Sequence, residues 1–213
     1  MKNLASLFIL GIVIISTNSF GQTSEKKNNF SIGGGKEAYN GDLGNAWFKP
    51  EEEWYGFVSL RYSHYLNKSF DVTASLTHGD YGHCRESDEE RFRDDGTEVL
   101  NMLSRLTSGV LLMKYKIANG YMINENAKFA PYIYLGGGVN NISNHWWKDK
   151  NRVNTGNYGS INGGLGLSYN FYKNLSFTYN LGFGYYSSDN IDRRIDGSND
   201  MFMQHSFLVG VNF

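Results

Sequence analysis

From residue 175 to 185 every odd position is large and apolar or aromatic: Leu175, Phe177, Tyr179, Leu181, Phe183 and Tyr185. Every even position between them is small or polar: Ser176, Thr178, Asn180, Gly182 and Gly184. A period of two turns successive side chains to opposite faces of an extended chain, so this segment reads as a strand whose faces meet different environments. The last segment repeats the pattern, with Met203, His205, Phe207, Val209, Val211 and Phe213 against Gln204, Ser206, Leu208, Gly210 and Asn212. Just upstream, Ile161, Leu165, Leu167, Tyr169 and Phe171 oppose Ser160, Asn162, Gly164, Gly166, Ser168 and Asn170.

The alternation continues backwards. Pro131, Ile133, Leu135 and Val139 alternate with Tyr132, Tyr134, Gly136 and Gly138; Leu111, Met113, Tyr115 and Ile117 alternate with Val110, Leu112, Lys114 and Lys116. Val72, Ala74 and Leu76 oppose Asp71, Thr73, Ser75 and Thr77, while Trp54, Val58, Leu60 and Tyr62 oppose Tyr55, Phe57, Ser59 and Arg61. A first strand from Phe30 to about Tyr39 has the faintest pattern, because Gly33, Gly34 and Gly35 remove most of it, and leaves open whether that stretch is regular or bulged. The expectation is eight strands.

The connections alternate in length. Asn67-Lys68-Ser69 and Tyr172-Lys173-Asn174 read as tight turns and Ala118 to Lys128 as a moderate one, whereas 40–53, 81–102, 141–157 and 188–200 read as long, polar, charged loops. For Leu66 and Phe70, or Phe171 and Leu175, to share a face, each hairpin loop must have odd length, and three residues satisfies both. Short turns at one end and long loops at the other, on an even number of antiparallel strands, is the layout of a bacterial outer-membrane barrel.

Two properties of the chain agree. Residues 1–21 have the form of a cleaved export signal, with Lys2, an apolar run from Leu4 to Ile15, and Ser19-Phe20-Gly21 before an expected cleavage at Gln22. The mature domain is then 22–213, and no later run reaches the roughly 18–20 apolar residues of a spanning helix. The formal net charge of −1 and the charged fraction of 19% do not suit a nucleic-acid-binding surface, and the single cysteine, Cys84, rules out an internal disulfide framework.

Volume decides which face meets lipid. Eight strands enclose a lumen just wide enough for side chains to fill, so the compact Gly, Ser, Asn and Thr face belongs inside and the bulky apolar face outside. Closure satisfies every strand edge, as the bilayer core requires. The fold expected is therefore an all-β, eight-stranded, antiparallel, up-and-down transmembrane β-barrel without a large pore. Trp54, Tyr65, Tyr115, Trp146, Tyr172 and Tyr185 fall near strand ends and suit the two interfacial girdles.

The last nine residues, His205 to Phe213, resemble the C-terminal insertion signal of outer-membrane proteins, with Phe207, Val209, Val211 and the terminal Phe213 as the alternating apolar set. The mature chain resembles the OmpA-like or OmpX-like barrel domains, and Tyr39 to Gly44 is similar to their first-loop opening. The resemblance implies residence in the outer membrane of a diderm bacterium, contact with its lipid and lipopolysaccharide, and insertion by the barrel-assembly machinery. Because the chain stops at Phe213, no periplasmic peptidoglycan-binding domain is expected.

Chemistry is sparse. The second long loop holds Glu86, Asp88, Glu89, Glu90, Asp94, Asp95 and Glu98 against Arg85, Arg91 and Arg93, without a complete calcium-binding spacing. Asp192, Asp196, Asn199 and Asp200 in the fourth loop, and His78, His83 and Cys84, likewise form no recognisable metal motif; no metal and no cofactor is expected. The third loop combines Trp146, Trp147, Lys148, Lys150 and Arg152, a candidate contact for lipid headgroups or an external ligand. His205 and Ser206, or Ser63 and His64, are adjacent and so point to opposite faces, which bars a direct nucleophile–base pair. Arg61, Asp71, Lys114 and Asn180 are candidates for a polar network inside the barrel, since buried charges need partners.

The function expected is a non-catalytic structural or binding role carried by the external loops. Two alternatives are a barrel subunit of a larger outer-membrane or secretion complex with envelope protein partners, and a lipid-modifying enzyme relying on cross-strand side chains.

Overall fold

The computed structural model describes residues 22–40, 55–83, 102–146, 153–172, 174–188, 191 and 200–213. Eight strands run in chain order: β1 (Asn28–Asn40), β2 (Tyr55–Tyr65), β3 (Phe70–His83), β4 (Met102–Lys116), β5 (Phe129–Trp146), β6 (Val153–Tyr172), β7 (Leu175–Tyr186) and β8 (Met201–Asn212). Each pairs antiparallel with its neighbours, and β1 closes on β8 to give a barrel with no free edge. The signal segment 1–21 lies outside the described residues.

The two faces fall as the alternation requires. Leu60, Leu76, Leu111, Leu135, Ile161, Leu165 and Val209 stand exposed on the outer wall, while Ser59, Ser63, Thr73, Ser75, Ser108, Asn162, Asn180 and Ser206 are buried inside. A belt of exposed apolar side chains around a closed, polar-cored barrel is stable only against lipid, so this is a membrane-spanning wall. Gly33 to Gly35 form regular strand: Gly33, Gly34 and Gly35 keep unbroken register with Ser59, Val58 and Phe57 on β2 and with Leu208, Phe207 and Ser206 on β8. Here glycine is required by close approach, because a Cβ on Gly33 would lie 1.9 Å from the Phe207 carbonyl oxygen and one on Gly35 1.8 Å from that of His205.

Three expectations are corrected. The segment 141–157 is mostly strand, because β5 and β6 run for 18 and 20 residues and stay paired out to His145 opposite Val153. A strand crosses the bilayer in about 9–11 residues. Beyond that depth the outward face meets water instead of lipid, so pairing continues after the apolar alternation has stopped. The outward positions there are joined by polar rungs: Asn141 donates to Asn157 at 2.8 Å, and the Ser143 and Thr155 hydroxyls stand 3.3 Å apart.

The β6–β7 hairpin also differs. The register shifts between Asn170 and Tyr172, so Phe171 bulges and Tyr172 pairs with Leu175 across a two-residue turn. One bulged residue plus two turn residues preserves the parity that a three-residue loop would give, so the faces are unchanged. The β2–β3 turn keeps three residues between Leu66 and Phe70, both exposed on the same face, with the Leu66 N–H donating to the Phe70 carbonyl at 3.0 Å. Finally, Tyr65 is no girdle residue. It shares the parity of Ser63 and Arg61 and is buried in the lumen, while Tyr172 and Tyr185 do face outward.

Candidate functional site: the lumen and the external rim

All four residues expected to form an internal polar network face the lumen and line one cavity of about 70 Å³ near the short-turn end of the barrel. Asp71 on β3 pairs with Lys116 on β4 at 2.8 Å. Lys116 also stands 4.1 Å from the centroid of the Tyr65 ring, and Lys114 stands 4.6 Å from that of Tyr132. Asn180 on β7 accepts from the Tyr132 hydroxyl and donates to the Ser206 hydroxyl at 3.2 Å, and Arg61 on β2 donates to the same hydroxyl at 3.4 Å. Arg61, Leu112 and Tyr134 line both this cavity and a second one of about 30 Å³ further along the lumen.

Sequence reasoning overlooked Lys116 and Tyr132. Both lay in the alternation with inward parity, Lys116 two positions beyond Lys114 and Tyr132 among the small inward residues of β5, so parity alone could have nominated them. A third contact, in which Gln204 donates to the buried carboxylate of Glu37 between β8 and β1, was equally legible in parity but not in partner choice.

Large inward side chains sit over glycines on adjacent or next-but-one strands. A Cβ at Gly166 would lie 2.1 Å from Cζ of Tyr132, one at Gly182 2.7 Å from the Tyr134 hydroxyl, and one at Gly184 2.0 Å from the Phe202 ring. This large-against-small filling occupies much of the lumen around the two cavities described above. Toward the long-loop end an apolar cluster of Leu106, Ile142, Tyr186, Ile191 and Phe202, with Tyr158 packed against it, is buried. Asp200 fixes the chain there by accepting the Ile191 N–H at 3.0 Å.

The neighbouring His and Ser residues separate as a strand demands. His205 turns outward, its Nδ1 2.6 Å from the Tyr179 hydroxyl, while Ser206 turns inward to Asn180 and Arg61. His64 meets Asn28 at 2.9 Å and Ser63 meets Thr73 at 2.7 Å inside. His78 is exposed on the outer wall, 2.9 Å from the Thr107 hydroxyl.

Of the third-loop candidates, Trp146 ends β5, and Trp147, Lys148, Lys150 and Arg152 lie outside the described residues. So do Cys84 and the acidic second loop from Arg85 to Glu98. Among the described residues no three His, Cys, Asp or Glu side chains gather as a metal site. Phe207, Val209, Val211 and Phe213 all stand exposed on the outer wall.

No protein-family model matches the chain, and no curated protein matches it either. Solved structures do. Neisserial surface protein A superposes with a TM-score of 0.58 at 12% identity, covering 87% of this chain and 97% of that one. A major outer membrane protein from Thermus thermophilus gives 0.56 at 13% identity, covering 87% and 99%. Ail, the attachment invasion locus protein of Yersinia pestis, solved with the heparin analogue sucrose octasulfate, gives 0.50 at 16% identity, covering 88% and 98%. At such identities the likeness speaks for architecture, and with the apolar belt, the filled lumen and the β1–β8 closure it gives one conclusion: the chain has the fold of the small outer-membrane β-barrels.

Proposed function

We propose that this is an outer-membrane protein of a diderm bacterium in which the barrel is a closed, non-catalytic scaffold and the external rim makes the specific contacts. The observation that carries this reading is the β5–β6 hairpin. Its strands of 18 and 20 residues exceed the about 9–11 that a crossing needs, and the sequence joining them runs from Trp146 to Arg152. That connection pairs two tryptophans with Lys148, Lys150 and Arg152, a combination suited to phosphate or sulfate groups on a sugar. Ail, a barrel of the same fold, was solved with a sulfated sugar, which supports a polyanionic glycan as the class of ligand. The apolar cluster of Leu106, Ile142 and Phe202 across the lumen supports the absence of a large pore.

The test is retention of the detergent-solubilised protein on immobilised heparin and on immobilised lipopolysaccharide. Wild type is expected to be retained and a Lys148→Ser, Lys150→Ser, Arg152→Ser variant to elute early. Equal retention of the two proteins, or none of either, overturns the reading. Retention on only one matrix identifies which polyanion the rim takes. Turnover of radiolabelled lipid A by folded protein would overturn the non-catalytic part.

A further inference from the structure

The charged groups around the larger lumen cavity do not balance. Three cations line it, Arg61, Lys114 and Lys116, against two carboxylates, Asp71 and Glu125. Asp71 is taken by Lys116 at 2.8 Å, and both side chains are largely out of water, 2% and 12% exposed. Glu125 belongs to the β4–β5 turn at the mouth and accepts from the Tyr65 hydroxyl at 3.4 Å. Lys114 shares Asp71, its register partner, with Lys116, and among the described residues neither Lys114 nor Arg61 makes an ion pair of its own. The Lys114 ammonium lies over the Tyr132 ring, Arg61 reaches only the Ser206 hydroxyl through Nη2, and its Nε has no hydrogen-bond partner.

Two other buried acids among the described residues, Glu37 and Asp200, line neither cavity and do not supply the missing charge. Glu37 is six residues from Ser31, the register partner of Arg61, which is about 20 Å along the strand. Its carboxylate is engaged by Gln204 and lines neither cavity. Two like charges facing one narrow, lipid-jacketed lumen repel each other. Water lessens that cost through its dipoles but leaves the net charge in place.

We propose that this cavity is a binding site for one small monovalent inorganic anion of the halide class, held between Arg61 and Lys114. The space suits it: a water needs roughly 10–15 Å³ of such volume, and about 70 Å³ accommodates a halide with part of its hydration shell. The donors are of the right kind, a guanidinium, an ammonium, and the Ser63–Thr73 hydroxyl pair on the same wall, which keeps one O–H beyond its mutual hydrogen bond of 2.7 Å. The mouth is narrowed by Gln22, whose side-chain amide donates to the carbonyls of Lys27 at 2.7 Å and Ser63 at 3.0 Å, so the ion would enter from the short-turn end past this residue. The bound anion brings the lumen site to neutrality and locks Arg61 in place between the two cavities. This site is independent of the external rim.

The experiment is chloride-35 NMR linewidth on the folded barrel in a non-ionic detergent, titrating chloride at constant ionic strength with gluconate, an anion too large for the cavity. Folded wild type is expected to give excess broadening that saturates with chloride, falls on addition of bromide and vanishes on heat unfolding. Lys114→Met and Arg61→Met, checked for folding by a gel shift on boiling, are expected to lose most of that broadening, and Lys68→Met, on an exposed turn, to keep it. Broadening in folded wild type no greater than in unfolded protein overturns the site, as does equal broadening in the folded lumen variants. If neither lumen variant folds, anomalous scattering from wild-type crystals grown in bromide decides: a peak between Arg61 and Lys114 supports the site, and its absence overturns it.

Discussion

Asp71 takes its ion pair diagonally: the β3–β4 register sets it opposite Lys114, yet its carboxylate meets Lys116 at 2.8 Å, two residues further along β4. The diagonal choice leaves Lys114 over Tyr132 and facing the cavity, and it makes Asp71 the fully desolvated acid among three lumen cations.

Removing that acid should therefore cost more than removing its partner. Asp71→Asn leaves three cations without it and is expected to lower stability by about 3–5 kcal/mol, the usual cost of breaking a buried pair. Lys116→Met leaves Asp71 beside Lys114, which can take over, so its loss should be visibly smaller. Urea unfolding of both variants in lipid vesicles checks the order; equal losses would mean Lys114 cannot substitute.

The fit of Phe202 over Gly184 is tight enough to be felt. Gly184→Ala would place a methyl group 2.0 Å from the ring, and overpacking of this kind costs about 1–3 kcal/mol. Phe202→Leu in the Gly184→Ala background should recover part of the loss. A double-mutant cycle with no coupling would show that the ring moves aside freely.

The outer wall should respond to charge by depth. Leu135→Arg, on a side chain 63% exposed to lipid, is expected to cost about 2–4 kcal/mol if it sits near the midplane. Tyr121→Arg, on the β4–β5 turn and 84% exposed, should change stability little. The comparison is made by reversible unfolding from vesicles, and similar values for the two would contradict the lipid-facing assignment.

Closure of the barrel ends in a reciprocal pair of backbone hydrogen bonds, each 2.9 Å, between Asn28 and Phe213. Deleting Phe213 removes this last rung and one apolar residue of the outer wall. Slower folding into vesicles, with the boiled-versus-unboiled gel shift retained once folded, is the expected result. An unchanged folding rate would show that β1 and β8 zip without it.

Much of this was legible because a lipid-facing barrel writes itself into parity. Val209 and Phe207 outside, Ser206 and Asn180 inside, and the odd count between Leu66 and Phe70 all follow from a period of two. Where the outward face meets water that signal lapses, which is why residues 141–157 read as loop although β5 and β6 extend through much of them. Tyr65 was misplaced because an aromatic near a strand end fits a girdle by position, while its parity put it inside. Arg61, Asp71, Lys114 and Asn180 were identified as inward, but their partners were not.

The sequence by itself determined the number of strands, which face of each meets lipid, and which end carries the short turns, because alternation and loop length are local properties. Only the tertiary structure decided that Asp71 pairs with Lys116, that Tyr132 binds Asn180, that Leu106, Ile142 and Phe202 pack into one buried cluster, and that Arg61 and Lys114 share a cavity with excess positive charge. Those contacts depend on strand register and on the circumference that closure of β1 against β8 imposes, and neither is encoded within a single strand.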